Sequence, residues 1–259
     1  MNIMNITNKK IHLLDVNIDN ISKQEVINGI VETINTNNKA IISNVNLHAL
    51  NISYTIPWFQ RFLNESQIVF CDGVGVQLAA WLTGQKLGYR FTPPDWIDEL
   101  CEELSINKWG VFFLGSKQGV AHSAADQLHE SHPELEISDH HGYFEKSGPE
   151  NEKVITMINQ SKARILFVGM GMPLQEKWIE ENFDKLTEVQ VILPVGALFD
   201  YISQTTPRGP KFLTHHGFEW LTRLIIEPSR LWSRYLIGIP QVLFRIIRHH
   251  YFHHSDSSK

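Results

Sequence analysis

The amino-acid sequence predicts an α/β protein: a mostly parallel sheet with helices on both faces, followed by a C-terminal helical appendage. Three observations predict it. Short continuous apolar runs recur along the first 200 residues, as strands buried on both faces require. Segments of helical periodicity separate them, the alternation expected of parallel strands joined by crossovers. No convincing strand follows Phe212, where the chain is rich in Arg, His, Trp and Leu. A chain of 259 residues, 42% hydrophobic, suffices for one α/β domain and an appendage. The core is assigned to residues 1–204 and the appendage to 205–259.

Ser22 and Glu25 have the spacing of a capping box, and Val26, Ile27, Ile30 and Ile34 then recur at helical intervals. The run 39–46, KAIISNVN, reads as a short buried strand, and WFQRFLNES as a helix. The run QIVFC is the next strand; it turns through Asp72-Gly73-Val74-Gly75 into a helix beginning near Gly75. Pro94 opens PDWIDELCEEL as a first helical residue. The segment 109–116, WGVFFLGS, is a core strand before a helix over about 117–131. The segment 163–171, ARILFVGMG, is another, and Pro173 stands near the start of the helix that follows. The segment 189–196, VQVILPVG, is the last strand, with a short segment through Asp200 after it.

In open parallel sheets, ligands bind beyond the carboxyl ends of the strands. Those ends carry polar or glycine residues here: Asn44 and Asn46; Asp72, Gly73 and Gly75; Gly115 and Ser116; Gly169, Gly171 and then Gln175; Gly196 and Asp200. Helix N-termini at such points offer free N–H groups suited to a diphosphate. Each residue also has a plainer reading. Asp72 is an acceptable helix cap, the glycines can simply make tight turns, and Asn44 and Asn46 are turn formers. Gln175 could sit on the surface, and His48 could be a packed histidine.

Other chemistries are excluded by pattern. Gly73-Val-Gly75 lacks a third glycine, because position 78 is Leu, and Gly169-Met-Gly171 runs into Pro173; neither is a dinucleotide fingerprint, and no P-loop is present. No Asp-x-Asp pair ends a strand, and the four His-His pairs are adjacent residues that diverge on a helix, so no metal is expected. Two cysteines, Cys71 and Cys101, fit a reducing compartment. The N-terminus lacks the order of a signal peptide, and no apolar run has the length of a spanning helix, so a cytoplasmic location is expected.

The net charge of −5 conceals an asymmetry. Residues 205–259 hold eight Lys and Arg against three Asp and Glu, and residues 1–204 hold fifteen against twenty-five. A basic tail on an acidic body suggests an anionic surface as partner. The body would repel a nucleic acid, so a membrane is expected and a nucleic acid is not. In QVLFRIIRHHYF, Gln241, Arg245, Arg248 and His249 share one helical face, the pattern of a basic helix lying in a lipid interface. The alternative is a helix packed on its own domain. Exposed apolar helices there would also favour a homo-oligomer.

Together SNVNLHAL, FCDGVGV, YRFTPPDW, FFLGS, HHGYF, FVGMGMPLQEKW, PVGALFDYIS and RGPKFLTHHGFEWLTRLIIEPSRLWSRYL resemble the WecG/TagA/CpsF family of bacterial glycosyltransferases, over about residues 41–238. The resemblance implies a Rossmann-like core at the cytoplasmic face of the membrane. It implies transfer, with inversion and without an essential metal or cofactor, from a UDP-sugar donor to a polyprenyl-diphosphate-linked sugar acceptor. N-acetylmannosamine or a related hexose is the sugar expected, and teichoic acid or another surface polysaccharide the product. Asp72 corresponds to the family's proposed base, Gln175 to its glutamine and Arg90 to the arginine of the third motif. Asn44 stands where some members have threonine, and TPPD replaces a glycine many members carry, so the loop around Pro93 departs from the pattern. Without a metal, the charge on the leaving diphosphate must be met by N–H groups and arginines; Arg223, Arg230 and Arg234 of the appendage are the candidates. A Rossmann-like nucleotide-dependent oxidoreductase and a non-catalytic lipid-surface module are the alternatives.

Overall fold

The computed structural model describes residues 9–207, 209 and 219–254, without the side chains of residues 219, 223, 230, 253 and 254. Eight strands form one sheet: β1 (Lys10–Leu13), β2 (Val16–Asp19), β3 (Ala40–Val45), β4 (Ile68–Cys71), β5 (Val111–Gly115), β6 (Ile137–His140), β7 (Ile165–Gly169) and β8 (Val191–Pro194). Their order is β1-β2-β4-β3-β8-β7-β5-β6. β1 and β2 pair antiparallel; every other neighbouring pair among the described residues is parallel. The expected α/β class with a mostly parallel sheet is therefore what the chain adopts.

Successive side chains of a strand point to opposite faces, and each face builds its own core. Val69, Cys71, Phe112, Leu114, Leu166 and Val168 face one layer, with the helices Leu47–Thr55, Pro57–Glu65, Val74–Leu82 and Leu174–Asn182. Ile68, Phe70, Val111, Phe113, Ile165 and Phe167 face the other, with the helices Lys23–Asn35, Ile97–Asn107 and Val120–Ser131. The final helix, Ile239–His254, places Val242 and Ile246 in the first layer, so it packs on the sheet's own core.

Local starts and stops follow the residues. Ser22 and Glu25 form the expected capping box. The helix expected from Pro94 begins later. Thr92 and Asp95 close a separate 3-10 turn, Pro93–Asp95, and Trp96 at φ −140° interrupts the chain before Ile97. The Trp96 ring packs edge-on to Phe70 and Phe91, which fixes the break. The helix expected from Lys117 starts at Val120, behind Gly119 at φ +82°. Three strands, β1, β2 and β6, and the helix Gly148–Gln160 are elements that the sequence pattern did not predict. The hairpin is secured by Asp19, whose Oδ2 accepts from the Val69 N–H at 2.9 Å and whose Oδ1 lies 3.3 Å from Lys10 Nζ.

β5 leads outward to the edge strand β6, whereas its neighbour β7 leads inward to β8. The connections part there, opening a crevice beyond the carboxyl ends of the strands.

Candidate active site

A cavity of about 1420 Å³ lies at those carboxyl ends and extends to the C-terminal helices. It is lined by Asn44, Asn46, Asp72, Gly73, Gly75 and Arg90, by Ser116, Gly169, Gly171, Gly196 and Asp200, and by Arg234. Residues scattered over the sequence thus share one wall system. Gly115 and Gln175 lie behind the wall rather than in it. Arg223 and Arg230 belong to the helices Glu219–Ile226 and Pro228–Trp232, and their side chains lie outside the described residues.

One corner of the cavity is built by β3 and β4. Asn44 is buried and donates through Nδ2 to the Pro194 carbonyl at 2.9 Å, tying β3 to β8. Asn46 caps the helix Leu47–Thr55, accepting from the Ala49 N–H at 3.0 Å, and its Nδ2 donates to Asp72 Oδ2 at 3.3 Å. Asp72 itself is half-buried. The N-cap of Val74–Leu82 is Gly73, at φ +105°. A Cβ on Gly75 would stand 2.4 Å from Leu47 Cδ1, so a larger residue there would have to displace the Leu47 side chain. Arg90 and Asp72 both act on the Cys71 thiol, in opposite senses, while burial pushes that thiol strongly up. Burial likewise pushes Cys101 up to about 12, so neither cysteine is a thiolate nucleophile.

At the crevice, backbone meets backbone. A Cβ on Gly115 would lie 2.3 Å from the Gly169 carbonyl oxygen, and one on Gly169 would lie 2.7 Å from that of Gly196. Ser116, at φ +54°, donates through Oγ to Asp200 Oδ2 at 2.8 Å. Gln175, at the start of Leu174–Asn182, is fully buried. Its Oε1 accepts from the N–H groups of Gly171 and Gly196, each at 3.1 Å. Those two N–H groups are therefore already committed within the protein. Next to it, burial pushes the Glu176 carboxyl up to about 7, against the lowering effect of its hydrogen bond from Gln175.

Several wall residues escaped the sequence reading. His48, read as a packing residue, faces the cavity; burial and then the nearby Arg234 push it down to about 4, so it is neutral. Lys117, Tyr143 and Lys146 line the crevice at β5 and β6. Lys146 Nζ donates to the carbonyls of Gly142 and Phe144 at 2.7 and 2.6 Å. Recognising β6 as a strand would have flagged this loop.

Of the two expectations for the last helix, its described contacts are those of packing on its own domain. The basic face of the last helix lies along the helix Leu47–Thr55 and the β1–β2 hairpin. Arg245 donates to Asn51 Oδ1 at 2.6 Å and sits over the Tyr54 ring, Arg248 donates to the Tyr54 hydroxyl at 3.0 Å, and His249 lies 3.2 Å from Asp15. The outer face instead carries Phe244, Tyr251 and Phe252, each about two-thirds exposed at 65%, 65% and 69%. Among the described residues, no helix is long and apolar enough to cross a membrane, and no three His, Cys, Asp or Glu side chains group to hold a metal.

Comparison with known proteins gives this architecture its context. The family model described as "Glycosyl transferase WecG/TagA/CpsF family" matches residues 11–256. Similar proteins include three from Staphylococcus aureus, of strains MRSA252, NCTC 8325 / PS 47 and MW2. They are 28%, 28% and 27% identical over 242 residues, which is 92% of each chain. Each is named N-acetylglucosaminyldiphosphoundecaprenol N-acetyl-beta-D-mannosaminyltransferase. The match sets aside the oxidoreductase alternative, and with it the chain belongs to the WecG/TagA/CpsF family of glycosyltransferases.

Proposed function

We propose that this chain transfers N-acetylmannosamine, or a related hexose, from a UDP-sugar to a hydroxyl of an undecaprenyl-diphosphate-linked N-acetylglucosamine, with inversion at the anomeric carbon. The names of the similar staphylococcal proteins support the acceptor and the sugar. The observation that carries the chemistry is the Asp72 carboxylate, half-buried at the cavity wall and held by Asn46. In the transfer, the acceptor oxygen bonds to the anomeric carbon as the bond to the UDP oxygen breaks, and Asp72 takes the hydroxyl proton. A carboxylate can do this because the hydroxyl becomes acidic only as bonding develops. UDP leaves as an anion, and Arg90 and Arg234 at the wall are placed to meet its charge.

The same reading places the enzyme at a membrane surface, where its lipid-linked acceptor resides. The outward Phe244, Tyr251 and Phe252 supply an aromatic face suited to the interface. Ile237 and Leu243 line the cavity from the same helical segment, an apolar approach for a prenyl chain.

The test is Asp72→Asn in the full chain, with a short-chain polyprenyl-diphosphate-N-acetylglucosamine acceptor and a panel of UDP-sugars read by mass spectrometry. Turnover should fall by about 10²–10⁴ while UDP binding persists; undiminished turnover would remove Asp72 as the base. For the surface, Phe244→Ser with Phe252→Ser should reduce flotation with anionic vesicles, and equal flotation would discard the aromatic contact.

A further inference from the structure

Two adjacent polar side chains at the start of Leu174–Asn182 are sealed from solvent, Gln175 at 0% and Glu176 at 1% exposure. Gln175 holds two turns together. Its Oε1 accepts from the N–H of Gly171, in the turn after β7, and of Gly196, in the turn after β8. Its own N–H returns to the Gly171 carbonyl at 3.1 Å. Both glycines hold left-handed backbone, at φ +81° and +57°. Glycine adopts either sign of φ readily, so these two conformations need an external constraint, and Gln175 provides it.

The constraint works in one orientation only. Rotated by half a turn about its last torsion, the amide would present its NH2 group to two N–H donors, and all the hydrogen bonds would be lost. Glu176 selects the working orientation, because its Oε1 accepts from Gln175 Nε2 at 2.7 Å. Its other oxygen has no protein partner among the described residues. No charged side chain contributes to its titration, which burial dominates. Among the described residues it is therefore no member of an ion pair; apart from its own backbone N–H, the group that holds it is that amide.

We propose that Glu176 is a positioning residue for donor binding, acting through Gln175 to lock the Gly171 and Gly196 turns in the shape that receives the UDP portion of the donor. This rests on the transferase reading above. Glu176 touches no substrate; it orients a group that orients two backbone turns at the cavity wall.

The experiment compares Glu176→Leu and Glu176→Gln with the wild-type chain, reading UDP affinity by calorimetry and the donor and acceptor KM separately. Leucine removes the acceptor for the Gln175 amide. UDP Kd and donor KM should rise about tenfold, the equivalent of ~1.4 kcal/mol, with acceptor KM unchanged. Glutamine keeps a carbonyl oxygen at the same place and should stay within about twofold of wild type. Wild-type UDP affinity in the leucine variant overturns the proposal. So does an equal loss in the glutamine variant, which would mean that charge is what matters, and so does an equal rise in both KM values, which would mean general loosening. Should the leucine variant not fold, amide exchange in the wild-type chain decides. The Gly171 and Gly196 amides must exchange slowly before any ligand is added, and fast exchange overturns the proposal. If the wild type binds no UDP, the transferase reading fails, while the exchange result still reports on the clamp.

Discussion

Glu176→Gln also has a consequence for stability that can be worked out in sign and size. A buried carboxyl with a folded-state pKa of about 7, against an ordinary 4.5, binds its proton more tightly in the folded chain than in the unfolded one. Its contribution is fully present below pH 4.5 and is lost as the pH rises through about 7. At about 1.4 kcal/mol for each tenfold change in proton affinity, the loss across that window is about 3 kcal/mol. The cause is desolvation of the carboxylate, only partly offset by the Gln175 hydrogen bond. Glutamine has no proton to lose. Urea unfolding of both proteins from pH 4.5 to 8.5 isolates the effect, because histidines and surface acids titrate in both and cancel in the difference. The difference in unfolding free energy should move in favour of the variant by about 3 kcal/mol between pH 4.5 and 7, then level off. Parallel curves across the whole range would refute the burial argument.

Two other perturbations test the frame around the site. Gly115→Ala sets a methyl group 2.3 Å from the Gly169 carbonyl oxygen, backbone that cannot yield without moving β7; a loss of about 1–3 kcal/mol is expected in thermal denaturation. Gly73, with nothing within 4 Å of the same atom, is the reference for a cost from φ alone, and an equal loss at both positions would show that the close approach does not matter. Ile246→Ala removes a buried contact between the last helix and the sheet's core and should cost about 2–5 kcal/mol. It should be seen as faster hydrogen exchange in Ile239–His254 with the exchange of β7 and β8 unchanged; unaltered exchange in that helix would show that it is not held by this contact.

The strands legible in the sequence are the ones buried on both faces. β4, β5, β7 and β8 read as unbroken apolar runs, and β3 as a shorter one interrupted by Ser43 and Asn44, because each packs under a helix layer on either side. The strands that were missed lie at the sheet's edges. β6 carries Ser138, Asp139 and His140 at intermediate burial, with no run to detect. The β1–β2 hairpin turns at Leu14 and Asp15, with φ +49° and +60°, where a glycine or asparagine is the usual signal. Its conformation is held from outside, by Gln60 and Asn64 of a later helix donating to the Leu14 and Asp15 carbonyls. In the site, strand ends announced Asn46, Asp72, Ser116 and Asp200, because the sheet's direction dictates where they gather. The task of Gln175 was not legible, since a glutamine at a helix start looks the same whether it faces solvent or two glycine N–H groups. The partners of the last helix's basic face were not legible for a related reason. Periodicity separates a basic face from an apolar one, but Asn51, Tyr54 and Asp15, which pair with the basic face, are remote in the chain.

The glycines where β5, β7 and β8 end make a short stretch of main-chain floor, with Gly169 and Gly196 at the cavity wall and Gly115 packed behind them. A main-chain floor looks the same whichever amino acids drift elsewhere, and none of its three positions accepts a methyl group without collision or strain. Divergence among such enzymes in the sugar they choose must therefore be written in the rim, at positions such as His48, Tyr143 and Arg234, and a chimera that exchanges rims over a constant floor should carry its sugar preference with the rim.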